Sequence, residues 1–343
     1  MSFASHIDAG HTLSVLRTPD SLTLSVSLPV AAAIVLLVNP AAGRGRAVRV
    51  AVAAERSLRA AGLRVDLHET RERGDEARIA RAASAAGARA LAVVGGDGAV
   101  SHAARGLLEG AARGDALVPL AIFAAGTGND FAKSLQLPVH DVHAMARHIA
   151  AGVTREVDVG YVDDVPFVNA AGFGFDVEVL VRMRTPGLLR GTAAYVSTAL
   201  GALLSYRGFR ARVDEASPDA TPGAKEHHLM IVLANGRYFG GAFRIAPDAQ
   251  LDDGAIDCIS IRHIAPFARL SLFAHAIRGR HLASPTVHFR RAQSFQLHFE
   301  SPPQFETDGE LQVARTHDVE VRVAPRALRL IAKDARAVNA PNS

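Results

Sequence analysis

Gly95-Gly96-Asp97-Gly98 follows directly on the apolar run Ala90-Leu91-Ala92-Val93-Val94 and leads into the helix-like Val100-Ser101-His102-Ala103-Ala104. A buried strand that stops in glycines and restarts as a helix is the βα turn of an α/β sheet. Glycines there permit positive φ and a close approach of the backbone to a ligand. The amides that open the next helix favour phosphate. Asp97 sets a carboxylate among them, which suits a phosphate that arrives with a divalent metal. A tight turn with an aspartate cap explains an isolated GGDG equally well, so the rest of the chain must decide.

From Val30 to about Arg155 the sequence repeats the same unit. Ala31–Val38, Arg64–Glu69, Ala90–Val94 and Pro119–Phe123 read as strands, alternating with helices at Arg46–Ala61, Asp75–Ala86, Ala99–Glu109 and from Asp130 to Leu135. Short continuous apolar strands between helices predict a parallel, Rossmann-like sheet covered on both faces, with ligands at the carboxyl ends of its strands. After Arg155 the texture becomes strand-rich: Val157–Tyr161, Pro166–Ala170, Phe209–Val213, Leu229–Ala234, Ala255–Ile261, Thr286–Phe289 and Ser294–Phe299. Helices are expected around Thr192–Ser205 and Pro266–Arg280, and an exposed loop over Ala216–Lys225. This predicts a β-sandwich-like second domain. The late segments Asp318–Val323 and Ala327–Ile331 either close that domain or return to the first. The division expected is 1–29 as a poorly ordered extension, 30–155 as the α/β domain, 156–332 as the β-rich domain and 333–343 as a tail.

The chain has 343 residues, 49% of them hydrophobic, enough for two cores. Its net charge of +4 is carried almost wholly by arginine, since Lys133, Lys225 and Lys333 are the only lysines. That balance suits nucleotides or an anionic membrane leaflet. Scattered arginines, few aromatics and no tryptophan argue against a nucleic-acid groove. Cys258 stands alone, which excludes an internal disulfide and a cysteine zinc cluster and suits a reducing, cytoplasmic setting. Val30–Val38 is too short to span a bilayer, and the first 29 residues carry one positive charge, Arg17, and no signal-peptide pattern.

Three loops at strand ends and one in the β-rich half stand out together: Asn39-Pro40-Ala41-Ala42-Gly43-Arg44-Gly45, Gly95–Gly98, Gly126-Thr127-Gly128-Asn129-Asp130-Phe131, and Asp308-Gly309-Glu310. With Phe173-Gly174-Phe175-Asp176, Asn235, Phe239-Gly240-Gly241, Ala246–Ala249 and Asp253-Gly254, this set resembles the diacylglycerol kinase catalytic-domain family, which includes bacterial soluble lipid kinases and sphingosine and ceramide kinases. The resemblance runs from Ile34 to Ala332, and six motifs in order carry it.

The resemblance implies a Mg²⁺-dependent lipid kinase that moves the γ-phosphoryl group of ATP to a lipid hydroxyl, such as that of diacylglycerol, within lipid metabolism. Such transfer needs positioning and charge neutralisation more than covalent chemistry. It implies nucleotide contacts at Asn39, Pro40, Gly43, Thr70, Gly95, Gly96, Asp97, Gly98, Gly126, Thr127 and Asn129. Asp97, Asp130 and Asp158 would hold the catalytic Mg²⁺; Asp130 is also placed to cap the helix that follows it. Asp308 would be the general base, with Glu310 orienting it or touching the metal. A structural Mg²⁺ would sit on Asp253 and the carbonyls of Gln250 and Ala255; an ordinary Asp-Gly hairpin turn is the plainer alternative there.

The sequence also departs from the family. After GGDG the family continues Thr-x-Asn-Glu, whereas Ala99, Val100, Ser101 and His102 stand here. That loss admits a non-catalytic nucleotide or lipid sensor on the same fold. A NAD-kinase-like phosphotransferase is the rival enzyme, although no second nucleotide signature appears in the β-rich half. P-loop and dehydrogenase fingerprints are absent. The expected partners are a lipid substrate, a membrane touched only peripherally and transiently, near Leu188-Leu189 with Arg184 and Arg190, and a second copy of the chain as a homodimer.

Overall fold

The computed structural model describes residues 32–184, 200–215 and 224–333. The expected N-terminal extension, the loop over Ala216–Lys225 up to residue 223, the Leu188-Leu189 contact with Arg190, most of the Thr192–Ser205 helix and the tail beyond Lys333 lie outside the described residues.

The first half is built as β1 (Ile34–Val38), α1 (Arg46–Ala60), β2 (Val65–Glu69), α2 (Asp75–Ala85), β3 (Ala90–Gly95), α3 (Asp97–Ala112), β4 (Leu120–Ala124), α4 (Asp130–Ser134) and α5 (Val142–Ala151). Ile34 pairs with Val65 and with Ala90, and Leu91 with Leu120, all in parallel, so the strand order is β2-β1-β3-β4. Every residue of β1 and β3 is buried. Their runs are apolar without alternation because helices cover both faces, α2 beside α3 and α1 beside α5. The register brings the carboxyl ends of β1, β3 and β4 to one edge.

The second half is antiparallel: β5 (Thr154–Val162), β6 (Val165–Phe167), β7 (Ala170–Gly174), α6 (Phe175–Arg184), α7 (200–205), β8 (Phe209–Glu215), β9 (Glu226–Ala234), β10 (Ile256–Arg262), α8 (Pro266–Ile277), β11 (Val287–Ala292), β12 (Ser294–Phe299), β13 (Gln304–Thr307), β14 (Glu310–Val313) and β15 (Asp318–Ile331). Alternation along β9 divides two cores. Ile231 and Leu233 enter the sandwich core with Phe173, Phe295, Phe299 and Phe305. Met230, Val232 and Ala234 face the opposite way, under α6, α7 and α8, with Phe175, Leu203 and Leu272.

The two late segments are one strand. β15 pairs with β12 and β5, shifts register between Ala324 and Leu328, and ends with Leu330 parallel to Leu120 of β4. It therefore stitches the sandwich to the parallel sheet. Most expected elements recur with ends moved by a few residues. The sequence reading missed α5, whose Asp141 cap accepts from Ala144 N at 2.8 Å. It also missed α6 and the β13–β14 hairpin, and read β6 and β7 as one strand.

Candidate active site

The three strand-end loops interlock through their backbones. Gly43 has φ +60°, and a Cβ there would lie 2.0 Å from Ala125 O. Arg46, at the start of α1, donates to Ala125 O at 3.1 Å and also to Gly126 O. Gly96 and Gly126 meet face to face: a Cβ on Gly126 would lie 2.4 Å from Gly96 Cα. The glycines of GGDG do not adopt the positive φ that the sequence suggested, since Gly95, Gly96 and Gly98 are absent from the left-handed positions. Gly96 is small because the loops touch, and Gly95 because a Cβ there would lie 2.7 Å from Ala99 Cβ of α3. Gly98 is the exception, with open space where its side chain would be, at the N-terminus of the sixteen-residue α3. That is the opening a phosphate needs.

Several of the expected nucleotide residues hold the loops. The Asn129 amide closes on its own turn, accepting from Gly126 N at 2.9 Å and donating to Gly126 O at 3.0 Å. Asn39 accepts from Ala41 N at 3.1 Å and donates to Glu76 Oε1 at 3.1 Å. Pro40 is half-buried in the same turn. Thr70 donates its backbone N–H to Val38 O at 2.9 Å, at the edge of the first loop, and Thr127 is exposed at the tip of the third.

Carboxylates from both halves converge behind Gly98. Asp97 accepts from Phe131 N at 3.2 Å. Burial, with the negative charges of Asp130 and Asp308, pushes its carboxyl up to about 6. Asp130 accepts from Gly241 N at 2.7 Å and Lys133 Nζ at 3.2 Å, and Lys133 also donates to Gly241 O at 2.8 Å. Asp130 thus pins the Phe239–Gly241 loop of the second half to the first. Asp308 sits at the hairpin turn with φ +50°. Its carboxylate takes four hydrogen bonds: Ser101 Oγ (2.8 Å) and Val168 N (2.9 Å) on Oδ2, and Asn169 N (2.9 Å) and Ala170 N (3.1 Å) on Oδ1. Burial raises its pKa, and those donors oppose the rise.

Glu310 does not turn toward Asp308. It pairs with Arg73 after β2, and His102 Nε2 lies 3.8 Å from its Oε1. His102 Nδ1 lies 3.9 Å from Glu76. A polar chain therefore runs Asn39–Glu76–His102–Glu310–Arg73 across the two halves. Ser101 and His102, the residues that depart from the family pattern, are the ones that meet the Asp-Gly-Glu turn. The sequence analysis missed Arg46, Glu76, Ser101 and Lys133. Each follows a glycine loop or a strand end, but its partner lies far away in the chain.

Asp158 belongs elsewhere. It is fully buried, with Gly254 N at 2.6 Å on Oδ2 and Arg326 N at 2.8 Å on Oδ1. Its charge acts on Asp253, and the acids acting on Asp97 are Asp130 and Asp308. This is a departure from the expected catalytic trio, caused by two backbone donors that claim both oxygens. Around Gln250–Ala255, Asp253 accepts from Ala255 N at 3.1 Å, and burial raises its pKa. The Arg291 guanidinium grips Asp257 at 2.6 Å and lies 3.8 Å from Asp253, so a cation already serves this loop.

Among the described residues no group of three acid, histidine or cysteine side chains is gathered tightly enough to hold a metal unaided. Asp97 still fits Mg²⁺: it is an oxygen donor in an excess of negative charge, and Mg²⁺ takes one or two carboxylates with the rest from phosphate and water.

A second buried acid pair lies along β13. Asp176, at the start of α6, has no hydrogen-bond partner on either oxygen, and burial raises its carboxyl to about 7. Glu306 pairs across from Gly172; burial first, then the charge of Asp176, pushes it well up. Beyond them a cavity of about 480 Å³ is lined by Phe173, Val177, Val181, Tyr206, Phe209 and Phe299, among others.

Residues 33–162 match the model of the diacylglycerol kinase catalytic domain, and residues 169–332 match that of the YegS C-terminal NAD kinase beta sandwich-like domain. A diacylglycerol kinase of Mycobacterium tuberculosis is 31% identical over 86% of this chain and 93% of its own. A probable YegS-like lipid kinase of Chromohalobacter salexigens is 30% identical over 72% of this chain and 80% of its own. The crystal structure of a putative diacylglycerol kinase from Bacillus anthracis superposes with a TM-score of 0.69 at 22% identity, covering 89% of this chain and 98% of that one, and so shares the fold.

Proposed function

Because this chain belongs to the diacylglycerol kinase family of lipid kinases, we propose that it transfers the γ-phosphoryl group of ATP to the hydroxyl of diacylglycerol or a related membrane lipid, with Mg²⁺ as the metal. The observation that carries this reading is the convergence of Asp97 and Asp130 with Asp308, drawn from the two ends of the chain. The α/β half then serves the nucleotide and the β-rich half the acceptor.

In this reading the triphosphate lies against the loops after β1, β3 and β4, with Gly98 leaving the N-terminus of α3 open to it. Asp97, backed by Asp130, would hold Mg²⁺, which neutralises phosphate charge when bound. Asp308 receives the acceptor proton. Its oxygens are saturated by three backbone donors and Ser101, and Ser101 is the one donor able to rotate away and free a lone pair. The cavity beside Phe173 has an aromatic and aliphatic side (Phe173, Val177, Val181, Phe209, Phe299) that would take acyl chains and polar residues (Glu178, Arg210, Glu300, Gln304) that would meet a headgroup. It lies at the Gly174 end of β7 and Asp308 at the Ala170 end, roughly 13 Å apart at strand rise.

The loss of Thr-x-Asn-Glu does not favour a sensor, because Ser101 bonds Asp308 and His102 stands 3.8 Å from Glu310 in its place. The test is an acceptor screen with labelled ATP over lipids presented in mixed micelles, with product identified by mass and Asp308→Asn as control. Lipid-stimulated turnover lost in the variant supports the reading. ATP binding without turnover across the panel would overturn it.

A further inference from the structure

α8 is apolar on both its sides. Its inner residues Leu272, Phe273 and Ala276 pack into the core under the helical layer, with Phe273 edge-on to Phe175 of α6 at 5.2 Å. Its outer residues Phe267, Leu270, Ala274 and Ile277 repeat at helical spacing. Phe267 is 82% exposed, Ile277 51% and Leu270 40%. A surface helix ordinarily places polar side chains there. The neighbouring helices continue the patch with Val181 and Met183 on α6 and Leu200 and Leu204 on α7. Arg269 fastens α8 to α7, donating to Leu203 O at 2.6 Å and Tyr206 O at 2.9 Å, so the three helices form one layer.

The chain around α8 is basic; Arg262 is matched by Glu226, Arg291 by Asp257, and Arg269 is buried, which leaves Arg278 and Arg280 as the charges directly after the helix. From Cys258 to Phe299 the chain contains no aspartate or glutamate and six arginines. Arg278 and Arg280 follow α8 directly, and both are exposed. On α6, Glu178 is matched by Arg182 at 2.6 Å. Val181 both belongs to the exposed patch and lines the cavity beside Phe173, so the cavity borders this face.

We propose that the outer face of α6, α7 and α8, led by Phe267 and flanked by Arg278 and Arg280, docks onto an anionic lipid bilayer. Phe267, Leu270 and Ile277 would enter the acyl boundary while the arginines reach the headgroups. A second copy of the chain is a poorer occupant, because a patch set against itself offers Arg278 and Arg280 no unmatched acid: its one described acid, Glu178, is already paired with Arg182. Docking does not depend on which lipid is phosphorylated.

The experiment is co-sedimentation of the full chain with vesicles of phosphatidylcholine alone and of phosphatidylcholine with phosphatidylglycerol, all without nucleotide or acceptor, at low and high salt. The wild type is expected to bind the anionic vesicles, less so as salt rises. Phe267→Ser with Leu270→Ser should weaken binding by roughly tenfold or more. Arg278→Glu with Arg280→Glu should weaken it by about tenfold or more and remove the salt dependence. Thermal melting and light scattering on each variant report fold and oligomeric state. Equal binding to neutral and anionic vesicles, or wild-type binding by both variants, overturns the proposal. So does a shift from dimer to monomer in the Phe267 variant with vesicle binding unchanged.

Discussion

Ser101 on α3 donates its hydroxyl to Asp308 Oδ2 at 2.8 Å across 207 residues of sequence. With it the first half supplies a donor to a carboxylate that the second half presents on the β13–β14 turn. The other three donors to Asp308, from Val168 to Ala170, are backbone amides, which only a proline would remove, at the cost of distorting the strand. Ser101 is therefore the adjustable contact of this carboxylate.

Removing it has a definite sign. The Ser101 bond holds the Asp308 pKa down against burial, which raises it. Ser101→Ala should move the acidic limb of the kcat/KM profile to higher pH. A profile that superposes on the wild type would show that Asp308 does not titrate in turnover.

In the proposed reading, in which Asp97 holds Mg²⁺, metal binding is expected to depend on pH. With its carboxyl at about 6, a proton competes with the cation below that value. Mg²⁺ affinity should be flat above pH 7 and weaken by up to about tenfold per unit below about pH 6. Calorimetry in buffers of different ionisation enthalpy should detect proton release as Mg²⁺ binds near pH 6, and Asp97→Asn should abolish that release. Proton release of the same size in Asp97→Asn would place the titrating group elsewhere.

The loops after β3 and β4 give a steric test. A Cβ at Gly126 would lie 2.4 Å from Gly96 Cα and 2.9 Å from Asn129 Oδ1, with backbone on the near side. Gly126→Ala must push the two loops apart, at a cost of about 1–3 kcal/mol. Denaturant melts should show that loss, and ATP should bind about tenfold or more weakly as the phosphate cradle opens. Gly98→Ala, facing open space, should leave the fold intact and weaken nucleotide binding alone. If Gly98→Ala binds ATP like the wild type, the triphosphate does not lie at that helix end.

What the sequence made legible follows from range. The parallel half could be read because each βα unit is local: apolar β1 and β3 are bounded by glycine loops, and periodicity needs no partner. α5 is marked at both ends by Asp141 and Gly152, but it follows α4 with no strand between them and so breaks the βα alternation by which this half is legible. β15 looked like two pieces because the register shift after Ala324 interrupts its alternation. The glycines were correctly singled out for the wrong reason, since backbone contact between Gly96 and Gly126 is a tertiary fact. The same limit hid Ser101 and His102. Their replacement of the family residues reads as loss until the Asp308–Glu310 turn is folded against them. Asp158 was expected with Asp97 by its family position, and the amides of Gly254 and Arg326 that claim it come from separate loops.

The buried acid pair gives the last prediction. Asp176 has a folded pKa of about 7 against 3.8 when exposed, and Glu306 is displaced in the same direction. Between those two values the folded protein binds more protons than the unfolded chain, so stability falls as pH rises through this window. The contribution is fully present below about pH 4 and is lost by about pH 7. Asp176→Asn removes a fully buried charge that only weakly placed backbone amides of its own helix start meet, and keeps the shape of the side chain. It should leave the melting temperature near pH 4 almost unchanged and raise it progressively to pH 8, for a gain there on the order of 4 kcal/mol. The wild type should lose stability between those conditions more steeply than the variant. Parallel melting curves from pH 4 to pH 8 would mean that Asp176 is held ionised by a partner.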